Sequence, residues 1–209
     1  MTSPETTTPP TSFAQGAAHV VSTATSPYIT AALTGALVVY LLHPTLAQAL
    51  MWGAVCLLFA AVLPFAFVYV LWRTGGVTDL HVALRRQRSA PFLAAIASVA
   101  CGMVVLYALH APRPLLALGV VFLANALPLT LLSLRWKMSA HTAVYTAGVF
   151  AVALLGHPEA LWALALVPVI LWARVYRKRH TLGQGLVPVV MTAVLSPLAY
   201  HATLWLVGR

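Results

Sequence analysis

Acidic residues are almost missing from this sequence. Its 209 residues include twelve Lys and Arg but only three Asp and Glu, and charged residues make up 7% of the chain. A soluble domain has roughly 25% charged residues, so this chain cannot cover a water-facing surface of ordinary extent. The three acids are Glu5, Asp79 and Glu159. Their scarcity excludes intramembrane prenyltransferases and CDP-alcohol phosphotransferases, which hold divalent metals with several aspartates.

Lysine and cysteine are scarce as well. The two lysines, Lys137 and Lys178, fall in basic connections, which excludes a retinal protein with its Schiff-base lysine inside a late helix. The two cysteines, Cys56 and Cys101, lie in apolar runs, and we interpret both as buried packing residues. Neither residue type therefore suggests a bound cofactor or a disulfide.

Long apolar runs dominate the chain instead. Hydrophobic residues make up 61% of it, in continuous stretches that indicate membrane spans. We count about seven such runs, at 29–42, 46–71, 92–110, 115–134, 141–155, 161–173 and 186–207. The first, fifth and sixth are short for a helix that needs about 20 residues to span a bilayer. The sequence predicts an all-α, polytopic transmembrane bundle of about six to seven helices.

Domain organisation is expected to be simple. Residues 27–209 form one predicted transmembrane domain, and residues 1–26 form a tail rich in Ser, Thr and Pro. We expect the start of this tail to be disordered, and the segment 13–26 to form a short helix along the membrane surface.

Basic residues are concentrated at one end of the predicted bundle. The connections after the second, fourth and sixth runs hold ten of the twelve: Arg73, Arg85, Arg86, Arg88, Arg135, Lys137, Arg174, Arg177, Lys178 and Arg179. The positive-inside rule places this face in the cytoplasm, and we expect a multi-pass protein of a prokaryotic plasma membrane. Anionic membrane lipids are the expected partners. Nucleic acid is not, because no polar domain could present a groove-reading element.

Three stretches of these basic connections carry residues suited to phosphate chemistry, at 79–92, 137–141 and 174–184. Arginine offers a planar fork of donors that matches phosphate oxygens. A serine just before a helix adds a hydroxyl and free backbone N–H groups. Two histidines from different stretches could divide nucleophilic attack and protonation of the leaving group. Because even numbers of spans separate the stretches, all three can meet in one pocket.

These stretches resemble the motifs of the type 2 phosphatidic acid phosphatase family, which shares its site with vanadium haloperoxidases. Arg174 and His180 have the five-residue gap of the family's third motif. Met138-Ser139-Ala140-His141 resembles its Pro-Ser-Gly-His motif, with Met for Pro and Ala for Gly. The basic connection before Pro91 stands in the place of the first motif but lacks its spacing. The resemblance extends from Asp79 to the last run, with the motifs in the family's order.

The resemblance implies a phosphatase core and a role for each matched residue. His180 would form a phosphohistidine, His141 would protonate the leaving group, and the phosphate would be bound by Arg174, Ser139, Lys137 and one of Arg85, Arg86 or Arg88. No metal or other cofactor is implied. The implied substrates are amphiphilic phosphates, such as phosphatidate, phosphatidylglycerol phosphate and polyprenyl phosphates or diphosphates.

The main departure from the family is Gln184, which stands where the family has the Asp that orients the nucleophilic histidine. Glutamine can accept a hydrogen bond from the imidazole but brings no charge, and Asp79 is the only acid on the same predicted face. Two alternatives therefore stay open. One is a catalytically weak relative that binds or moves phosphorylated lipids. The other is a transport or assembly subunit whose basic loops only set topology. The sequence does not predict an oligomeric state.

Overall fold

The computed structural model describes residues 12–80, 82 and 84–207, and all regular elements within these ranges are helical. Most of the expected disordered tail lies outside the described residues. The α-helices are α1 (Phe13–Ala24), α2 (Pro27–Leu41), α3 (Leu46–Leu57), α4 (Leu63–Arg73), α5 (Ser89–Ala108), α6 (Arg113–Ser133), α7 (Ala140–Leu154), α8 (Val167–Tyr176) and α9 (Leu182–Val207). A π-helical turn, Leu58–Val62, joins α3 to α4, and 3₁₀ segments, Arg85–Gln87 and Pro158–Leu166, precede α5 and α8.

Five helical stretches are long and apolar enough to cross a bilayer: Leu46–Arg73, Arg85–Ala108, Arg113–Ser133, Pro158–Tyr176 and Leu182–Leu206. A sixth is added if α1 and α2, which are bent by 50° at their junction, form one broken span. The helical, membrane-compatible architecture is thus confirmed. The sixth apolar run gains length from its 3₁₀ segment, whereas α7 stays short. Its 15 residues extend about 22 Å, less than the ~30 Å hydrocarbon core.

Helix starts at one end of the bundle are fixed by short polar side chains. Ser26 caps α2, with Pro27 in the first turn, and Ser139 caps α7. Thr181 and Gln184 cap α9 reciprocally: the Thr181 N–H donates to Gln184 Oε1, and the Gln184 N–H donates to Thr181 Oγ1. Such caps satisfy N–H groups that have no partner within the helix. Three helices therefore begin beside one another at this end.

The same end gathers all three basic connections. The Arg85 guanidinium donates to the carbonyls of Leu134 and Arg135, which ties the first connection to the second. The Ser139 N–H donates to the carbonyl of Gln184 at 2.9 Å, which ties the second to the third. The convergence expected from the even number of spans is therefore present in the structure.

The remaining packing holds this end in place. α9 packs against α6 and α7, α2 against α7, and α5 against α6. The segment 13–26 is largely helical, and α1 packs against α8 with Ala18 and Ser22 fully buried. Its position along the membrane surface stays a prediction. Cys56 is half-buried but Cys101 is exposed on the outside of the bundle, so the expectation that both are buried is wrong for Cys101.

Candidate functional site

A cavity of about 150 Å³ lies at the basic end of the bundle. Most of its wall is apolar, and its polar lining consists mainly of arginine and histidine side chains. We call it the basic cavity, and its lining residues are Pro27, Tyr28, Pro64, Leu80, Val82, Arg88, Pro91, Phe92, Ala95, Ala126, Leu129, Thr130, Ala140, His141, Val144, Arg174 and His180. Four of the residues expected from the sequence thus meet here, and all four are largely withdrawn from solvent: Arg88 is 5% exposed, Arg174 3%, His141 4% and His180 6%.

Arg88 enters the cavity from the residue that precedes α5. Its Nε donates to the carbonyl of Val82 at 3.0 Å, and its Nη1 donates to the carbonyl of Met138 at 2.6 Å. The guanidinium also lies 6.0 Å from the centre of the Phe92 ring, within the range of a cation–π contact. Because neither hydrogen-bond acceptor is an acid, these contacts orient the Arg88 cation without neutralising it.

Val82 adopts an unusual backbone conformation to provide its carbonyl. Its φ of 46° lies in the left-handed region, which a β-branched residue rarely enters. Such a conformation costs on the order of 1–3 kcal/mol and persists only where the surroundings enforce it. Here the surroundings include the hydrogen bond from the buried Arg88 guanidinium.

Arg174 reaches the cavity from the last turn of α8. Its Nη1 lies 3.4 Å from Ser22 Oγ, a long hydrogen bond that leaves most of the guanidinium unused. Its Nε is buried and has no hydrogen-bond partner among the described residues. Buried donors are nearly always paired, so this orphaned donor indicates a site suited to an anion.

His141 begins α7 and faces α1. Its Nε2 lies 3.1 Å from the carbonyl oxygen of Ser22. A carbonyl oxygen can only accept, so Nε2 carries the proton in this arrangement. The nitrogen that could deliver a proton is therefore engaged with the backbone of α1.

His180 lies in the connection between α8 and α9, with its Nδ1 buried and without a partner in the described part of the chain. Burial lowers the pKa of His180 to about 3, and the charges of Arg88, Arg174 and Lys137 act in the same direction. A hydrogen bond with the Lys137 backbone acts in the opposite direction. The imidazole is therefore neutral at pH 7, as a histidine nucleophile must be.

Lys137 adds a further cation at the rim of this group. Burial lowers the pKa of Lys137, as do the charges of Arg88, Arg179 and Arg174. Asp79 acts in the opposite direction on Lys137 and is also within electrostatic reach of Arg88 and Arg174. One carboxylate faces a larger number of cations, so the site has a net positive charge.

The structure separates the three arginines of the first connection. Arg85 is exposed and caps the end of α6 through the carbonyls of Leu134 and Arg135. Arg86 is exposed and does not line the basic cavity. Of the three, Arg88 alone is buried and lines the basic cavity.

Ser139 and Gln184 do not line the basic cavity. Ser139 is fully buried, and its Oγ accepts from the Thr142 N–H at 3.5 Å as the cap of α7. The side-chain oxygen of Gln184 accepts from the Thr181 N–H at 3.1 Å, so it caps α9 and is not hydrogen-bonded to His180 Nδ1. Both residues position the helix starts that carry the histidines.

Sequence reasoning missed the contribution of α1. Ser22 contacts Arg174 through its hydroxyl and His141 through its carbonyl, although it lies far outside the recognised stretches. The available signal was weak: Ala18 and Ser22 are small and four residues apart, so they share one helix face and permit close packing. Their spacing predicts a packed helix, but not which residues it touches.

No group of three His, Cys, Asp or Glu side chains that could hold a metal ion occurs in residues 12–80, 82 and 84–207.

No protein-family model, curated protein or solved structure significantly matches this chain. The function is therefore inferred from the geometry and from the sequence motifs.

Proposed function

We propose that this chain is an integral-membrane phosphatase that hydrolyses a phosphomonoester or diphosphate of an amphiphilic lipid. The observation that carries the proposal is the composition of the basic cavity. A neutral histidine, His180, opens on it beside the buried cations Arg88 and Arg174, while the rest of the wall is apolar. A lipid phosphate combines an anion with an apolar chain and matches both parts of the cavity.

The chemistry would proceed in two displacements at phosphorus. His180 attacks the phosphorus atom, a P–N bond forms, and the P–O bond to the lipid alkoxide breaks. His141 supplies a proton to the leaving alkoxide. Water then attacks the phosphohistidine and gives a proton back to His141, the P–N bond breaks and inorganic phosphate leaves. Arg88, Arg174 and Lys137 would stabilise the negative charge on the phosphoryl oxygens during both displacements.

The substrate classes are those implied by the family resemblance, namely phosphatidate, phosphatidylglycerol phosphate and polyprenyl phosphates or diphosphates. The phosphate would lie at the basic end of the bundle and the lipid chain between the helices. With this end in the cytoplasm, as the distribution of Lys and Arg favours, the substrate would be one that is made on the cytoplasmic side.

Two contacts favour a second candidate, in which the chain binds or moves phosphorylated lipids without cleaving them. Gln184 caps α9 and is not bonded to His180 Nδ1, so among the described residues no acid or amide orients the nucleophile through this nitrogen. The proton-bearing nitrogen of His141 is engaged with the Ser22 carbonyl. An enzyme would have to break this contact in each cycle.

Phosphate release from a panel of lipid phosphates tests the proposal. The purified protein in detergent with EDTA is expected to release phosphate, and His180→Ala is expected to abolish release. His201→Ala is the matched control, because His201 is exposed on α9 and does not line the basic cavity. Release that disappears with EDTA, or persists in His180→Ala, would contradict the histidine mechanism.

The second candidate predicts a different result in the same assay. Lipid phosphates would bind to the folded protein, with competition by inorganic phosphate, but no phosphate would be released. Gln184→Asp would then be informative, since it introduces the acid that the family carries at this position. Release that appears only in Gln184→Asp would identify the natural chain as a binding protein.

A further inference from the structure

A second cavity lies deeper in the bundle than the basic cavity. Its volume is about 80 Å³, and only Thr34 and Cys56 bring polar atoms to a lining that otherwise consists of hydrophobic residues and glycine. We call it the apolar cavity. None of the motif residues reaches it, and the chemistry proposed at His180 does not use it.

The two cavities are lined by the same helices at successive levels. On α5, Ala95 lines the basic cavity and Val99 the apolar one; on α6, the corresponding residues are Ala126 and Phe122. Each pair is four residues apart, which is about one helical turn or roughly 6 Å along the axis. The gap between the cavities is therefore about one layer of side chains.

The walls formed by α2 and α4 show the same succession of levels. On α2, Tyr28 lines the basic cavity and Ala31 the apolar one, and Pro64 at the start of α4 is followed one turn deeper by Ala60 of the π-helical segment. Four walls thus descend together from the first cavity to the second. A chance packing defect would not be expected to follow the first cavity on every side.

The depth of the apolar cavity gives it a length as well as a width. From Val99 it continues along α5 to Leu106, a separation of seven residues that corresponds to about 10 Å of helix. At this deep end the lining belongs to the hydrophobic cluster that includes Val38, Leu106, Leu115 and Leu118.

The cross-section suits one chain and not two. An apolar cavity of about 150 Å³ accommodates a benzene molecule, and this one has about half that volume. Apolar cavities of this size exclude water and take apolar guests. A guest that also occupied the basic cavity would place its polar group there, beside Arg88 and Arg174.

We propose that the apolar cavity receives the far part of one hydrocarbon chain of the phosphorylated ligand, whose phosphate lies in the basic cavity. The ligand would then direct one linear chain along the bundle axis. This inference rests on the proposed lipid-phosphate function and adds the position of that chain.

Photolabelling tests it directly. The probes are hexadecyl phosphates with a diazirine either near the phosphate or near the chain end, added to the protein in phosphatidylcholine nanodiscs. Labelling is counted as specific when an excess of unlabelled hexadecyl phosphate abolishes it. We expect the head-proximal probe to label the level of Ala95, and the distal probe to label between Val99 and Leu106.

A matched pair of substitutions on α5 sharpens the test. Val99→Phe fills the apolar cavity and is expected to reduce specific distal labelling at least tenfold, whereas Val104→Phe, at an outward-facing position that is 69% exposed, is expected to leave it unchanged. If Val99→Phe fails to fold, the positions labelled in the unsubstituted protein still test the inference. Specific distal labels confined to outward residues such as Val104 would overturn the inference.

Arg88→Gln separates this inference from the proposed function. Specific labelling that is lost in Arg88→Gln but maps outside the apolar cavity would leave the lipid-phosphate site standing and overturn only the chain position. Specific labelling that does not change in Arg88→Gln, and that inorganic phosphate does not compete, would contradict the proposed function and this inference with it.

Discussion

At the scale of single residues, the site depends on cations that are held by uncharged groups. Arg88 is oriented by the carbonyls of Val82 and Met138, and Arg174 by the hydroxyl of Ser22. A carboxylate in either place would neutralise the cation and compete with an anionic ligand. Carbonyl and hydroxyl oxygens fix the geometry and leave the positive charge available.

Arg88 and Arg86 form a natural pair for mutation. Arg88→Gln removes a buried charge whose hydrogen bonds to a phosphate are each worth about 1.5–3 kcal/mol, so lipid-phosphate binding should weaken roughly 10- to 100-fold. Arg86→Gln should change it by less than about twofold, because an exposed charge contributes little. The effects of both substitutions are measured by the binding of a lipid phosphate to the protein in neutral nanodiscs. Equal losses in the two variants would show that the basic loops act only through their total charge.

The depressed pKa of His180 predicts a pH dependence of stability. The group has an ordinary pKa of 6.5 that falls to about 3 in the fold. Below pH 6.5 the unfolded chain binds a proton at His180 that the folded chain does not. The contribution of His180 to the free energy of unfolding is therefore fully present above pH 6.5 and is lost as the pH falls toward 3. The loss is about 5 kcal/mol at most.

His180→Gln supplies the comparison, because glutamine is polar and does not titrate. The Tm of the unsubstituted protein in detergent should fall relative to that of His180→Gln as the pH is lowered from 7 to 4. Parallel Tm curves over this range would show that His180 titrates normally and is accessible to water.

At the scale of helices, close packing of α2 against α7 places the wall of the basic cavity. Gly148 of α7 lies so close to Thr34 of α2 that an added Cβ would collide with the Thr34 hydroxyl oxygen. The start of each of these helices carries a residue of the cavity, Tyr28 and His141 respectively. A change in the distance between the helices would therefore alter the site six or seven residues away along each helix.

Gly148→Ala tests this contact. Overpacking of a close contact costs about 1–3 kcal/mol, so the variant should have a lower Tm in detergent. Thr34→Ala removes the atoms that would collide, and the double variant should recover most of the loss. Losses that simply add in the double variant would mean that these two residues are not coupled.

At the scale of the whole molecule, charge is segregated by end. The basic connections meet at one end of the bundle, whereas Glu159 lies at the other, where its Oε1 is 3.1 Å from His157 Nδ1. The excess of Lys and Arg at the basic end is the basis for the proposal that this end lies in the cytoplasm.

Thiol labelling checks this orientation. Arg86→Cys, in a chain with Cys56→Ala and Cys101→Ala, should be labelled by a membrane-impermeant maleimide only after the cells are opened. An engineered cysteine in place of Glu159, which is exposed at the opposite end, should be labelled in intact cells. The reverse pattern would place the site on the outer face and change the pool of substrates that it meets.

Sequence patterns predicted much of this arrangement because they depend on local physics. Apolar runs and basic connections follow from the cost of placing charges in a bilayer, and they gave the helical class and the meeting of three basic connections. The sequence determined the number of spans less well. Hydropathy does not show the bend of 50° between α1 and α2, nor that α7 is short.

The sequence by itself determined an all-helical chain of long apolar segments with most of its cations at one end, since composition and periodicity report directly on burial. Only the tertiary structure decided which cations are buried: it put Arg88 in the cavity, Arg85 on the end of α6 and Gln184 on the start of α9. It also brought Ser22 to Arg174, a contact between residues 152 positions apart. Such choices depend on distances between helices, and a sequence pattern within one helix contains no information about them.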